Sequence, residues 1–277
     1  MQHVIGDIGS TSGHWAVINA DKQVEYIRTS GYNPYSQDEV VLLRALQVLG
    51  PYLNGKTRLT YYGTGVASEE VASRIEASLT KYLELSEVDT HSDLIGAARA
   101  CCGTDAGVVA ILGTGSNCAF YDGHKLTHLT PSLGYPVGDE GSGWRIGSAM
   151  VQGFYYNLMP DDVCQVFSEH LPDDRSDLLA YLRDSPTPNR YLASFATFAA
   201  EHLDASWIRQ TVKDCIREFV VKHVVIHSNE YEVHCIGGIA HAFRNILEEL
   251  LNEYSIKCGR IIGDPLPDLV KYHLEHE

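Results

Sequence analysis

One local pattern occurs twice along the chain and restricts the folds that the chain can adopt. The apolar segment 4–8 leads into the turn Gly9-Ser10-Thr11, and the apolar segment 108–112 leads into the turn 113–117, which reads Gly-Thr-Gly-Ser-Asn. In both places a second β-prone run and a further turn follow. A passage that recurs in this way predicts a duplicated chain, and each copy begins with a turn large enough to hold a phosphate group.

Between the two copies, β-prone runs alternate with helical patterns. Ser36 and Glu39 have the spacing of a capping box, and apolar residues at helical spacing follow them. Segment 58–62 is β-prone, segment 68–83 is helical, and segment 85–89 is a short strand candidate. Alternation of this kind predicts an α/β fold.

The second copy contains a long helical region. Helical periodicity extends to about residue 229, with a break at 186–189 and an amphipathic stretch at 206–227. A strand candidate at 233–236 follows it. We therefore predict a helical insertion at about 145–228, in the second half of a duplicated fold.

The chain is long enough for two lobes. With 277 residues and 44% apolar content it can bury a substantial core, either as one large domain or as two smaller ones around a cleft. We predict an N-terminal lobe at 1–104, joined by a C-terminal helix at 265–277. The C-terminal lobe is predicted at 105–264 and carries the insertion.

Composition argues against several classes of protein. The 36 acidic and 21 basic residues give a net charge of -15, so the attraction to phosphate backbones that nucleic-acid binding needs is missing. The seven cysteines include no C-x-x-C pair, which fits neither a disulfide framework nor a regular zinc site. No apolar run approaches the length of a membrane helix. These features predict a soluble cytoplasmic protein without nucleic-acid or membrane partners.

Asp7 and the turn after it have the residue types of a phosphate and metal site. Backbone N–H groups and the hydroxyls of Ser10 and Thr11 could face phosphate oxygens, while the Asp7 carboxylate could hold Mg²⁺ through water. Gly9 permits a close approach of the backbone. The alternative is an ordinary hairpin turn in which Asp7 bonds to its own backbone.

Two later glycine segments could also face a ligand. Gly237-Gly238 follows a strand candidate, where the backbone could approach a flat group such as a nucleotide base, or could serve as an ordinary strand-to-helix connection. Segment 138–143, Gly-Asp-Glu-Gly-Ser-Gly, could bind sugar hydroxyls through its acidic residues, or could be a solvated acidic turn.

Asp93 follows the strand candidate at 85–89 and opens a helix. Its carboxylate could cap the first turn of that helix. Alternatively, it could accept the proton of a substrate hydroxyl that attacks a γ-phosphoryl group.

The order of these motifs resembles a known superfamily. Read along the chain, the motifs are GDIGST, HSDLIGAARA, ILGTGSNC, GDEGSG and CIGGIA. They are similar to those of the acetate and sugar kinase, Hsp70 and actin superfamily. Within it, the chain resembles the BadF/BadG/BcrA/BcrD ATPase family and its N-acetylglucosamine kinases, over residues 5–240.

The resemblance implies a duplicated ribonuclease-H-like fold of the actin-like ATPase type, with ATP and Mg²⁺ between two lobes and a sugar deeper in the cleft. The residues that it assigns to the nucleotide are Asp7, Gly9, Ser10, Thr11, Gly113, Thr114, Gly115, Gly237 and Gly238, with Asp7 holding Mg²⁺ through water. Those that it assigns to the sugar are Asn33, Asp93, Ser116, Asn117 and Asp139. Asp93 matches the catalytic base. The resemblance also allows a homodimer.

The chain departs from the pattern in its first turn. Related sequences often continue this turn with a basic residue, whereas Ser12-Gly13-His14 follows Thr11 here. His14 is expected to face solvent. His223 and His227 have a spacing that could bind metal, but no third ligand is evident, so they are interpreted as surface or core residues.

We therefore hypothesise an ATP-dependent sugar kinase that phosphorylates a hydroxyl of N-acetylglucosamine or of a related amino sugar. One alternative is a BadF-type ATPase without a sugar acceptor. The cysteines of this chain do not stand at the glycine-flanked positions that a bridging iron–sulfur cluster would need, which argues against the activator ATPases of that group. The other alternative is a non-catalytic sugar-binding or sugar-sensing protein, suggested by the missing basic residue.

Overall fold

The computed structural model describes residues 2–54, 56–85, 87–227 and 230–276. The chain separates into two compact units. Unit 1 comprises Met1–Asp105, Gly123–Lys125 and Asp264–Glu277, and unit 2 comprises Ala106–Asp122 and Leu126–Gly263. The sequence predicts lobes at 1–104, joined by helix 265–277, and at 105–264. That these lobes are separate domains remains a prediction.

Each unit contains a mixed five-stranded sheet. The strands of unit 1 are β1 (Gln2–Ile8), β2 (Ser12–Ile18), β3 (Val24–Ser30), β4 (Thr57–Gly63) and β5 (Glu87–Ser92). Those of unit 2 are β6 (Gly107–Leu112), β7 (Ser116–Tyr121), β8 (Leu126–Thr127), β9 (Val233–Ile236) and β10 (Cys258–Ile262).

The two sheets repeat one topology. Their orders are β3-β2-β1-β4-β5 and β8-β7-β6-β9-β10. In each, the first three strands in sequence are antiparallel neighbours, and the last two run parallel to the central strand. The predicted duplicated α/β fold is therefore confirmed. Strand β10 was not predicted from the sequence.

The helices occupy the connections between strands. They are α1 (Glu39–Leu46), α2 (Glu69–Leu83), α3 (Asp93–Cys102), α4 (Gly143–Tyr155), α5 (Asp161–Ser168), α6 (Arg175–Asp184), α7 (Pro188–Glu201), α8 (Ser206–Phe219), α9 (Gly238–Ala242), α10 (Arg244–Glu253) and α11 (Leu266–His276). A 3₁₀ segment, Gln47–Tyr52, follows α1. Helix α8 is followed by a π-helical turn at Val220–Val224 and then by a 3₁₀ segment at Val225–His227. Within the described part of the chain, no helix has both the length and the apolar character that crossing a membrane requires.

Polar side chains cap the N-termini of α1, α2, α3, α4 and α6. The side chain of Ser68 accepts a hydrogen bond from the backbone N–H of Val71 and caps α2, so the helix predicted at 68–83 begins one residue later, at Glu69. The predicted capping box at Ser36 is wrong, because α1 begins later and its cap is Asp38. Capping by Asp93 is also wrong, because Ser92 occupies the cap position and Asp93 is the first helical residue of α3.

The predicted insertion corresponds to helices α4 to α8, which lie between β8 and β9. Pro188 begins α7, where its missing N–H costs no helical hydrogen bond, and this explains the break in periodicity before it. Helix α8 buries Ile208, Val212 and Ile216 at helical spacing in the core of unit 2. Residues 228 and 229, at the predicted end of this region, lie outside the described residues.

In unit 1 the sheet has a separate core on each face. Val4, Leu59 and Tyr61 pack in the core that includes residues of α1 and α2. Ile5 and Tyr62, the alternate residues of the same strands, pack with residues of α3 and α11 in the other core. Helices therefore pack on both faces of this sheet.

Candidate functional site

In unit 1 three parallel strands end side by side and bring the predicted residues together. Ile8 of β1 pairs with Gly63 of β4, which pairs with Ser92 of β5. The residues that follow these strand ends therefore share one edge of the sheet. Open α/β sheets bind their ligands at this carboxyl edge. The Asp7 turn, Thr64 and Asp93 accordingly define the candidate site of unit 1.

The first turn is held by backbone hydrogen bonds from a neighbouring segment. Gly31 and Tyr32 donate from their N–H groups to the carbonyls of Thr11 and Gly9, each at 3.1 Å. A Cβ on Gly31 would lie 2.2 Å from the Gly9 carbonyl oxygen, so no other residue fits there without moving the turn. The same segment brings Asn33 to the turn, where its amide nitrogen donates to the Ser10 hydroxyl at 3.3 Å.

The carboxylates at this edge are held at an electrostatic cost. Burial, together with the nearby carboxylates of Asp93 and Asp264, raises the pKa of Asp7 to about 7, against a smaller lowering from His14. Burial also raises the pKa of Asp93, although Thr64 and the backbone N–H of Leu94 donate hydrogen bonds that favour its ionised form. A partly buried carboxylate with a raised pKa is a better proton acceptor than a solvated one.

His14 does not simply face solvent, contrary to expectation. Its Nδ1 lies 3.1 Å from Oδ2 of Asp264, in the loop before α11, and only 23% of its side-chain surface is exposed. The hydrogen bond with Asp264 raises the pKa of His14 although burial opposes this, and the pKa of Asp264 is lowered. His14 also pairs with Asp7 across β1 and β2. Its charge therefore partly offsets the carboxylates of this edge.

The donors in unit 1 fit a hydrated Mg²⁺ ion. Asp7 contributes a carboxylate in a region of accumulated negative charge, and oxygen donors are those that Mg²⁺ prefers. Among the residues that the structure describes, no group of three or more His, Cys, Asp or Glu side chains could hold a metal ion. The protein would therefore supply few ligands, and water and phosphate oxygens would complete the shell.

In unit 2 the second glycine turn and the Gly237-Gly238 pair also share one sheet edge. Strands β6 and β9 are parallel neighbours, with Ile111 paired to Ile236. Gly237 has φ +112°, and a Cβ there would lie 2.5 Å from the Leu112 carbonyl oxygen. Among the residues that the structure describes, and apart from those adjoining each glycine in the chain, none places an atom within 4 Å of the Cβ positions of Gly113 and Gly238. The backbone is thus accessible at both places, as the close approach of a ligand requires.

Asp139 ties the acidic loop to the second turn. Its two carboxylate oxygens accept hydrogen bonds from the backbone N–H of Ser116 at 3.1 Å and from the indole N–H of Trp144 at 3.0 Å. Asp139 has φ +60°, which is costly for a residue with a side chain. Burial raises the pKa of Asp139, and these two hydrogen bonds oppose the rise. Asp139 is therefore part of the framework of this loop and not a free acidic side chain.

Glu140, beside Asp139, points to different partners. Its carboxylate oxygens lie 3.0 Å from Nε2 of His223 and 3.0 Å from Nζ of Lys222. Burial alone would raise the pKa of Glu140, but the hydrogen bonds from His223, its own backbone and Lys222 lower it to about 2. His223 is buried against Phe219, which agrees with its interpretation as a core residue.

Ser116 and Asn117 begin β7 and are held by local contacts. The Ser116 hydroxyl donates to the Glu140 carbonyl at 2.8 Å, and Asn117 Oδ1 accepts from the N–H of Cys118 at 2.9 Å. Gly143 N–H donates to the Gly113 carbonyl at 2.8 Å, which joins the start of α4 to the turn. The structure thus assembles Gly113, Thr114, Gly115, Ser116, Asn117 and Asp139 into one block.

Several residues of these sites were not identified from the sequence. Thr64 carried a usable signal, because Gly63-Thr64-Gly65 repeats the Gly-Thr-Gly of residues 113–115 after a strand. The contact between His14 and Asp264 joins positions 250 residues apart, and no local pattern indicates it.

Comparison with known proteins supports this architecture. No protein-family profile matches the sequence, and no curated protein matches it either. A candidate N-acetylglucosamine kinase from Porphyromonas gingivalis is similar in structure with a TM-score of 0.88 at 29% identity, over 99% of both chains. The chain has the actin-like ATPase fold.

Two more distant structures share this fold. A candidate N-acetylglucosamine kinase from Chromobacterium violaceum matches with a TM-score of 0.69 at 18% identity, over 98% of both chains. A ROK family glucokinase from Streptomyces griseus, in complex with glucose and AMPPNP, matches with a TM-score of 0.53 at 14% identity, over 98% of both chains. At these identities the likeness concerns the fold alone.

Proposed function

We propose that the protein is an ATP-dependent sugar kinase. The observation that carries this proposal is Asp93 at the carboxyl end of β5, partly buried, with a raised pKa and a hydrogen bond from Thr64, on the same sheet edge as Asp7. Kinases that transfer a phosphoryl group through a loose transition state need one residue to accept the hydroxyl proton and a separate anionic residue to hold the metal ion.

Asp93 is the proposed proton acceptor. As the sugar oxygen forms its bond to the γ-phosphorus, the bond from that phosphorus to the bridging oxygen of ADP breaks, and the hydroxyl proton passes to the Asp93 carboxylate. Thr64 and the Leu94 N–H would keep that carboxylate oriented. General-base assistance of this kind is worth roughly 10²–10⁴-fold in rate.

For ATP we propose the residues of the glycine turns. Gly9, Ser10 and Thr11 from unit 1, and Gly113, Thr114 and Gly115 from unit 2, are the proposed phosphate contacts. Gly237 and Gly238 are the proposed contacts of the adenosine. Asp7 is proposed to hold Mg²⁺ through water, and the ion when bound would neutralise charge on the phosphates.

For the acceptor we propose N-acetylglucosamine or a related amino sugar. The support is the structural likeness to the Porphyromonas gingivalis protein at 29% identity, together with the sequence motifs that resemble the BadF/BadG/BcrA/BcrD group. Asn33 and Asn117 supply amides that suit sugar hydroxyls. Ser116 and Asp139 belong to the same proposed site, where Asp139 would accept further hydrogen bonds only through lone pairs that Ser116 and Trp144 leave open.

A non-catalytic sugar-binding protein is the second candidate. The observation that favours it is that no Lys or Arg directly follows Thr11. The basic side chain that β2 offers nearest to this turn is His14, which is hydrogen-bonded to Asp264. A BadF-type ATPase without an acceptor remains the third. A cytoplasmic location and a homodimer belong to the proposal as well.

Product analysis distinguishes these functions. The protein is incubated with Mg-ATP and, separately, with N-acetylglucosamine, glucosamine, N-acetylmannosamine, glucose or no sugar, and the products are examined by mass spectrometry. A kinase yields a phosphorylated sugar with N-acetylglucosamine or a close relative. ADP without a phosphorylated sugar would support the ATPase, and unchanged ATP in every sample would support the binding protein.

A further inference from the structure

Unit 1 contains a polar cavity that the proposed reaction does not use. It has a volume of about 220 Å³ and is lined chiefly by Arg58, Asp89, His91, Arg99, His273 and His276. These side chains come from β4, β5, α3 and α11, on the sheet face opposite to α1 and α2. None of them is among the residues assigned to nucleotide or sugar.

Two guanidinium groups of the cavity are held in fixed orientations. Arg99 donates to the Tyr62 hydroxyl at 2.7 Å, and its guanidinium carbon lies 5.6 Å from the ring centre of Tyr62 and 5.5 Å from that of Tyr272. Arg58 is 2.9 Å from carboxylate oxygens of both Glu87 and Asp89. A guanidinium of fixed orientation can donate directed, charge-assisted hydrogen bonds to an oxyanion. In Arg58 the Nε and Nη2 groups already meet carboxylates, so this residue would contribute mainly its charge.

Both arginines act as positive charges on two imidazoles of the cavity. Burial is the largest cause that lowers the pKa of His91 to about 4 and that of His273 to about 3. Arg99 is the next cause for both imidazoles and Arg58 contributes to both, whereas Asp89 acts in the opposite direction. The two arginines therefore outweigh Asp89 at both positions, although the whole chain carries a net charge of -15.

A metal ion fits this cavity poorly. Three histidines line it, but among the described residues no group of three or more metal-ligating side chains is arranged to hold an ion. Two guanidinium groups beside the imidazoles would also repel a cation. Guanidinium and imidazole N–H groups can donate hydrogen bonds to an anion, and an imidazole gains its second N–H donor when it is protonated. One nitrogen of His273 is already engaged with the Tyr62 hydroxyl, and one nitrogen of His276 with the Tyr272 carbonyl, each at 2.8 Å.

We propose that this cavity binds a phosphate-type oxyanion, either inorganic phosphate or the phosphate group of a small phosphorylated metabolite, through Arg58, Arg99 and the surrounding histidines. The anion adds negative charge beside His91 and His273 and so raises their pKa values. Binding therefore takes up protons and strengthens as the pH falls, by up to about tenfold per pH unit for each proton taken up.

The charged and titratable groups that face these two imidazoles set the size of this effect. They come from every element around the cavity and are His3 on β1, Arg58 and Tyr62 on β4, Glu87 and Asp89 on β5, Arg99 on α3, and Tyr272 and His276 on α11, with the Tyr62 hydroxyl 2.8 Å from Nε2 of His273. Asp89 and Glu87 are the acidic members of this set and limit the gain in affinity.

Titration calorimetry of the full chain tests the proposal, with sulfate as the first probe. Sulfate does not change its protonation state near neutral pH, so protons taken up on binding must come to the protein. We expect saturable binding that is roughly tenfold tighter at pH 6 than at pH 8, with proton uptake measured from two buffers of different ionisation enthalpy. Absence of saturable sulfate and phosphate binding at pH 6 would overturn the proposal.

Two further probes separate the sources of the anion. Inorganic phosphate and glucose 6-phosphate are titrated at the same pH. Tighter binding of glucose 6-phosphate assigns the cavity to a phosphorylated metabolite, and equal or weaker binding assigns it to the free anion.

Substitutions locate the binding site. Arg99→Gln should weaken sulfate binding by at least about tenfold, since it removes a charge-assisted contact. Because Arg99 also contacts Tyr62 and Tyr272, Arg58→Gln serves as the second variant if Arg99→Gln does not fold. Arg183→Gln, on exposed α6 and paired with Asp184 in unit 2, is the matched control and should bind as the wild type does. Unchanged affinity in the cavity variants that fold would contradict the assignment.

Discussion

The two units contain the same sheet, but the carboxylates at its carboxyl edge differ in their partners, although burial raises the pKa of Asp139 as it raises those of Asp7 and Asp93. In unit 1, Asp7 and Asp93 have raised pKa values, and neither forms an ion pair with Lys or Arg among the contacts of the described residues. In unit 2, Asp139 accepts hydrogen bonds from Ser116 and Trp144, and Glu140 is paired with basic side chains.

This difference suggests separate roles for the carboxylates of the two units, in the proposed reaction for unit 1 and in the structure of the loop for unit 2. The unit 1 carboxylates carry unfavourable electrostatic energy in the absence of ligand, which suits the roles proposed for them, namely holding a metal ion for Asp7 and accepting a proton for Asp93. The unit 2 carboxylates are engaged with the backbone and with neighbouring helices, so they shape the second turn. A duplicated fold has thus been specialised at equivalent edges of its two sheets.

The largest expected effect is on turnover, from Asp93→Asn. The amide keeps the shape of the side chain but cannot accept the hydroxyl proton, so kcat should fall by about 10²–10⁴-fold. Nucleotide binding, measured by calorimetry, should remain. A variant that retains near wild-type kcat would remove Asp93 from its proposed role.

The next effect is on the stability of the first turn. Gly31→Ala places a methyl group against backbone atoms of the turn and should lower the free energy of unfolding by about 1–3 kcal/mol. Gly50→Ala is the matched control in the same unit, because nothing lies within 4 Å of its Cβ position. Urea unfolding measures both variants, and equal stabilities would show that the turn tolerates displacement.

Removing a carboxylate charge is expected to change the free energy of unfolding in opposite directions at the sheet edges of unit 1 and unit 2. Without Mg²⁺ or nucleotide at pH 8, Asp7→Asn should raise the free energy of unfolding by about 1 kcal/mol. The raised pKa means that wild-type stability falls as the pH rises from 3.8 to about 7, and the amide avoids this loss.

Asp139→Asn should instead lower stability by about 1–2 kcal/mol, because the amide NH₂ faces one of two N–H donors and leaves it without an acceptor. Thermal unfolding of both variants provides the measurement. The same sign in both would break the contrast between the units.

The smallest effect concerns Glu140 and its dependence on pH. The folded-state pKa of Glu140, about 2, lies below its ordinary value of 4.5, so its contribution to stability is complete above pH 4.5 and is lost as the pH falls toward 2. Glu140→Gln should therefore be less stable than the wild type at pH 6, by about 1 kcal/mol or less. The difference should shrink below pH 4.5 in urea titrations. A constant difference across this range would assign it to packing.

Much of the fold could be predicted because its signals are local. The glycine turns after apolar strands revealed the duplication, and helical periodicity located the insertion at 145–228. The signals failed where boundaries depend on tertiary context. Strand β10 has two half-exposed and two exposed residues among its five, so its apolar pattern is weak, and α1 is capped by Asp38 rather than by Ser36.

The candidate site could be predicted only in part. Residues within motifs, such as Asp7 and Asp93, were found because their neighbours in sequence share the site. The hydrogen-bond partners of Asp139 and the pairing of His14 with Asp264 could not be predicted from the sequence, because they depend on how distant segments pack. An acidic loop of the same composition could have been solvated, and only the packing of Trp144 shows that Asp139 is engaged.

The rate of ADP release from Mg-ATP, with and without N-acetylglucosamine, tests the central claim most directly. A sugar kinase predicts a rate that rises steeply and saturates with the sugar, and that falls toward the rate without sugar in the Asp93→Asn variant. A rate that is the same with and without every amino sugar would contradict the account.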